Sequence, residues 1–145
     1  MRFIQMRHAK LWFAGESENW GLAAFETHEL KESFEDVGKY HPTHGKAAVP
    51  LATLIPQLLD PPLGELEKSV QAGDKSRFAA AFDRVTAGCN VCHQAAGYAF
   101  NVVKRPFIFM NSVGIHDDVQ TLLHEGGHAF HAFESSNLPE YRTEY

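Results

Sequence analysis

Two short stretches hold the residues whose types and spacing could do chemistry. Cys89-Asn90-Val91-Cys92-His93 has the form C-x-x-C-H. At this spacing two thiols add to the vinyl groups of one haem, and the adjoining imidazole takes an axial iron position. Residues three apart share a helix face, so both sulfurs reach one porphyrin edge. His124-Glu125-Gly126-Gly127-His128 has the form H-E-x-x-H. Histidines four apart on a helix can share a Zn²⁺, with the glutamate acting on zinc-bound water as general base. The glycine pair costs a helix about 1 kcal/mol per residue against alanine, which points to a close approach by substrate or backbone. The two motifs belong to unrelated chemistries.

The elements that must position these residues are helical. The pattern predicts a first helix over Met1–Ala14, closed by Gly15 as a C′ glycine. Its apolar stripe is Met1, Ile4, Leu11 and Trp12, with His8 on the same face and Met6 roughly opposite. His8 is therefore either a second metal ligand or a core-edge histidine bonded to backbone. Ser17 or Asn19 caps a second helix running to about Tyr40. Its core positions are Trp20, Ala23, Ala24, Thr27, Leu30, Phe34 and Val37, with Glu26, Glu29, Lys31, Glu32 and Glu35 solvated. His41-Pro42-Thr43-His44-Gly45 is a turn, its two histidines polar surface rather than a metal pair.

From Val49 to Ala72 the helical pattern is interrupted. Pro61-Pro62 is expected to end one helix, with another carrying Leu63, Leu66 and Val70 to Gly73. Asp74 caps the helix with the clearest period: Phe78, Phe82, Val85, Cys89, Cys92, Ala96, Phe100 and Val103, closed by Lys104-Arg105-Pro106. Both cysteines fall on its core-facing stripe and His93 beside it. Phe107-Ile108-Phe109-Met110 reads as a strand-type run. Asp117 or Asp118 then caps a further helix containing Val119, Leu122, Leu123 and the H-E-x-x-H. The expected architecture is all-α: a four-helix-bundle-like haem domain with a short C-terminal extension containing one further helix.

Composition bounds the function. At 145 residues the chain makes one domain, or one with an appendage. A net charge of -5 at pH 7, with no basic patch, argues against nucleic acid. No apolar run approaches the roughly 20 residues of a membrane span. Both cysteines lie in the C-x-x-C-H, which excludes a disulfide framework. A redox dithiol would want a strand before its helix, and a zinc site a second ligand pair. The N-terminus is basic without an apolar core, so it does not read as a signal peptide. Haem of the c type is attached outside the cytoplasm. The expected location is periplasmic if haem is attached, and cytoplasmic if Met1 is the true start.

Residues 1–106 resemble small bacterial c-type cytochromes related to cytochrome c-prime. The shared words are His8-Ala9-Lys10-Leu11-Trp12-Phe13-Ala14-Gly15, Phe34-Glu35-Asp36-Val37, Tyr40-His41-Pro42-Thr43 and, most specific, Cys89-Asn90-Val91-Cys92-His93-Gln94-Ala95-Ala96-Gly97. The resemblance implies a four-helix bundle with covalent haem c on Cys89 and Cys92 and His93 as proximal ligand. The sixth position is left to His8, to Met6 or to nothing. An open position suits small-ligand binding, and a filled one suits electron transfer with a redox partner protein.

Residues 107–145 resemble the active-site segment of the thimet oligopeptidase and oligoendopeptidase F family of zinc peptidases. The matching residues are Phe107-Ile108-Phe109-Met110-Asn111, Asp117-Asp118-Val119-Gln120-Thr121-Leu122-Leu123 and His124-Glu125-Gly126-Gly127-His128-Ala129-Phe130-His131. The resemblance implies Zn²⁺ on His124 and His128, Glu125 as catalytic base, a third ligand from a glutamate on a later helix, and a peptide substrate. Glu134, Glu140 and Glu144 do not match that glutamate by position. The expectation is thus a haem-binding bundle over 1–106 joined to an inactive peptidase fragment over 107–145. The alternative is a metallopeptidase-related protein.

Overall fold

Among the described residues, four amphipathic stretches form long α-helices in the computed structural model: α1 (Arg2–Glu16), α2 (Trp20–Tyr40), α3 (Leu51–Ala72) and α4 (Lys75–Ala95). The described residues are 2–106, 119, 120, 123 and 124. None of them is in a strand, and residues 2–106 fold as an all-α four-helix bundle. The chain divides into two units, Met1–Pro106 and Phe107–Tyr145. In the second, residues 119, 120, 123 and 124 have helical backbone and are exposed. The expected strand-type run from Phe107 to Met110 and the caps Asp117 and Asp118 lie outside the described residues.

In the first unit, each helix runs antiparallel to the next. Lys31 of α2 pairs with Glu67 of α3, and His8 of α1 with Thr86 of α4. Leu11, Leu30, Leu66, Phe78, Phe82 and Val85 are fully buried at the centre. The helix ends have identifiable caps. Asn19 accepts from the Leu22 amide at 3.2 Å and Asp74 from the Arg77 amide at 3.0 Å, each satisfying one orphan donor of a first turn. Gly73, at φ 63°, ends α3: its amide reaches Val70 O and the Asp74 amide reaches Ser69 O. That paired closure needs the left-handed backbone that glycine adopts freely.

The structure departs from the sequence expectations at four points. Helix α1 does not stop at Gly15. A Cβ there would fall 2.0 Å from the Phe78 ring, so this glycine serves close packing. The helix ends at Glu16 and is closed beyond it by Glu18, a non-glycine at φ 56°, with the Asn19 amide on Ala14 O. Helix α3 runs unbroken through Pro56, Pro61 and Pro62. Its buried stripe of Ile55, Leu59, Leu63, Leu66 and Val70 spans the prolines, and tertiary burial outweighs the lost amide donors. Glu26 is fully buried and Ala24 exposed. The Glu26 carboxylate lies against Lys10, 2.5 Å away, and Arg7, 3.8 Å away, although neither cation is aligned for a hydrogen bond.

The fourth departure bears on the site. Helix α4 ends at Ala95, so Phe100 and Val103 do not continue its stripe, and Phe100 is 83% exposed. Gly97, at φ 84°, closes it as Gly73 closes α3. The Gly97 amide binds Gln94 O at 3.1 Å and the Tyr98 amide binds His93 O at 2.7 Å. Beyond that cap the chain turns back along α4.

Candidate functional site

Cys89, Cys92 and His93 lie in the last two turns of α4, all on one helix. Helical spacing sets their directions. Phe82, Thr86, Cys89 and His93 follow one another at steps of four, three and four and share the face toward α1. Phe82 and Thr86 make the contacts that show it. The His8 ring lies 4.4 Å from that of Phe82, and Trp12 lies 5.0 Å from it. As whole residues, Cys92 is buried and Cys89 half-buried.

Both thiols are free. Burial pushes the Cys89 thiol up to about 12, with Cys92 adding to the effect, and burial also raises Cys92. Both are therefore protonated near neutral pH. A redox dithiol needs the reverse, a thiolate favoured by a helix N-terminus or a nearby cation. This pair sits at the C-terminal end of a helix, where the macrodipole opposes negative charge. The environment does not suit thiols that shuttle electrons.

His93 is half-buried, and its Nδ1 lies 2.7 Å from the backbone carbonyl of Asn101. A carbonyl only accepts, so Nδ1 carries the proton and donates. In the neutral ring Nε2 then holds the lone pair, pointing away from Asn101. Metal-binding histidines are commonly oriented in this way. The donor set of two uncommitted thiols and one imidazole with its Nε2 available fits a c-type haem.

His8 is 5% exposed and its Nε2 lies 2.9 Å from Thr86 Oγ1. The Thr86 hydroxyl donates to Phe82 O at 2.9 Å, so it accepts from His8, whose Nε2 is the protonated nitrogen. Burial lowers His8 from 6.5 to about 4. Thr86 precedes His93 by seven residues, about 10 Å along α4. The structure therefore sets His8 two turns from His93, with its outer nitrogen engaged. Met6 is among the exposed residues of α1.

The other sequence candidates are not drawn into this site. His41 is exposed in the loop between α2 and α3, as is His44, which stacks on Tyr98 at 5.4 Å. His124 is exposed on helical backbone in the second unit. Glu125 and His128 lie outside the described residues. Among the described residues, no group of three or more His, Cys, Asp or Glu side chains could hold a metal ion.

Three features of the site were not anticipated from sequence. Gly88, next to Cys89, sits where a Cβ would come 3.0 Å from Leu58 O and 2.7 Å from Leu59 Cδ2. Pro62 supplies no amide to Leu58 O, so α4 meets α3 at a carbonyl lacking its usual helical donor. Asn90 bonds both ways to Val103, donating to its carbonyl at 2.9 Å and accepting from its amide at 2.7 Å. Thr86 holds His8. Only Gly97, followed directly by Tyr98-Ala99-Phe100, offered a signal that the chain reverses here.

No protein-family model, curated protein or solved structure matches this chain.

Proposed function

We propose that residues 1–106 form a c-type haem-binding protein, with Cys89 and Cys92 as the thioether anchors and His93 as the proximal ligand. The observation that carries this reading is the His93 ring. It donates Nδ1–H to the Asn101 carbonyl and keeps Nε2 for a metal, one residue after a buried, neutral thiol and four after a second. Bound there, haem would supply a redox-active iron whose behaviour is set by its axial ligands and by burial. The chain's part is to anchor the porphyrin, orient the imidazole and exclude water with the apolar face of α4.

Between electron transfer and small-ligand binding, the geometry favours small-ligand binding. His8 already donates its Nε2–H to Thr86, and Met6 is exposed on α1, which favours an open sixth position. In haem-loaded protein, His8→Ala is expected to leave the coordination number unchanged. A change from six- to five-coordinate spectra would return His8 to the iron and favour electron transfer to a redox partner. Haem attachment implies a periplasmic location.

The reading is tested by Cys89→Ser, Cys92→Ser and the double variant, co-expressed with haem-attachment machinery. The double variant should lose all haem that survives denaturation, and each single variant should lose most of it. Equal haem retention in all three would remove the thioether assignment.

For residues 107–145 we propose a zinc-peptidase-like segment. A zinc hydrolase uses three protein ligands with one open position, and His124 and His128 would be two of them.

A further inference from the structure

The segment leaving α4 is tied down at successive points. His93 Nδ1 donates to Asn101 O, Asn90 pairs twice with Val103, and Arg105 forms a two-point ion pair with Asp83. As the strap advances from 101 to 103 to 105, its partners step back from 93 to 90 to 83. The strap is therefore antiparallel to α4. Its far end reaches α1, where the Arg105 guanidinium lies 4.5 Å from the Trp12 ring centre. Its near end is set by the Gly97 cap and by the Asn101 amide on Tyr98 O at 2.9 Å.

The carbonyl that orients His93 is backbone, so its position depends on what holds the chain on either side. On the downstream side that is Asn90. Its carboxamide presents one donor and one acceptor, and Val103 presents the complementary pair. No other residue type of that size satisfies both at once: aspartate lacks the donor and leucine lacks both.

We infer that Asn90, a nominally free position inside the C-x-x-C-H, is a positioning residue: by pinning Val103 it fixes the Asn101 carbonyl and thereby holds His93 as the Nδ1–H tautomer with Nε2 as the metal-binding nitrogen. The haem side of this inference rests on the proposed function. The tautomer side concerns the chain alone. Second-shell partners of metal-bound histidines act in this way, tuning ligand basicity and orientation.

The test uses the full chain. In haem-free, reduced protein, long-range ¹H–¹⁵N NMR reads the His93 tautomer directly, and amide exchange reads Val103. The unmodified chain should show Nδ1–H. In Asn90→Ala, His93 should become a mixture of tautomers and Val103 exchange should speed up about tenfold or more. Asn90→Asp, which keeps the acceptor for the Val103 amide, should fall between. Val103→Pro removes the amide from the strap side, should reproduce the tautomer change, and decides the matter if Asn90→Ala does not fold. In haem-loaded protein, Asn90→Ala should shift the iron–histidine stretching band with covalent haem content unchanged.

A His93 that stays Nδ1–H in both Asn90→Ala and Val103→Pro, with helix content preserved, overturns the inference. Failure of the unmodified chain to take up haem would defeat the proposed function and leave the tautomer result standing.

Discussion

Helix α4 is packed against its two neighbours in different ways. Toward α3, backbones meet: Gly88 lets the helix approach Leu58 O, and Leu59 fills in beside it. Toward α1, the helices are bridged by rings. Phe78 packs over Gly15, Trp12 lies against Phe78 and Phe82, and His8 covers Phe82 and bonds to Thr86. The α3 seam is narrow and the α1 seam is wide. Cys89 and His93 share the helix face that looks into the wide one. The proposed haem would lie on the α1 side, where side chains rather than backbone span the seam.

Three measurements bear on this contrast. The largest effect should come from His8 in haem-free protein. Its value near 4 in the folded state lies below the ordinary 6.5. Above pH 6.5 neither state binds the proton, and the stability is intact. Between 6.5 and 4 the unfolded chain takes up the proton first, so stability falls as the pH drops. It should fall by about 3 kcal/mol, with no further loss from this group below 4. Urea unfolding of the unmodified chain and His8→Gln, at pH 7 and pH 4.5, checks it. Identical pH dependence in both would mean that His8 is not sealed in the wide seam.

The next effect is steric. In Gly15→Ala the new Cβ meets a Phe78 ring caged by Trp12, Trp20 and Phe82. A loss of about 2–3 kcal/mol is expected from overpacking. Gly88→Ala presses on the narrow seam with a smaller overlap and recovers some helix propensity, for a net loss of about 1–2 kcal/mol. Chemical denaturation ranks the two. The opposite order would show that the rings swing aside easily and that the wide seam is softer than its packing implies.

The periodic helices were legible in the sequence, and so was the cap at Asp74, because local spacing and capping chemistry determine them. Helix α3 passes Pro61-Pro62 against the local pattern because the cost of proline is local, whereas the burial that offsets it comes from α2 and α4. The burial of Glu26 is not legible locally because it depends on Arg7 and Lys10 arriving from another helix. Within the candidate site, the C-x-x-C-H motif of Cys89, Cys92 and His93 is legible from spacing alone. The supports around them were not. Asn90 meets Val103, thirteen residues on, only because Gly97 reverses the chain. Thr86 matters only once His8 is brought across from α1.

The proposed function stands or falls on covalent haem at Cys89 and Cys92. It is read by iron, zinc and intact mass per chain, on protein exported and co-expressed with haem-attachment machinery. One iron per chain, with the mass increased by one haem after denaturation, is the expected result. Zinc without iron, at the mass of the bare polypeptide, would contradict it.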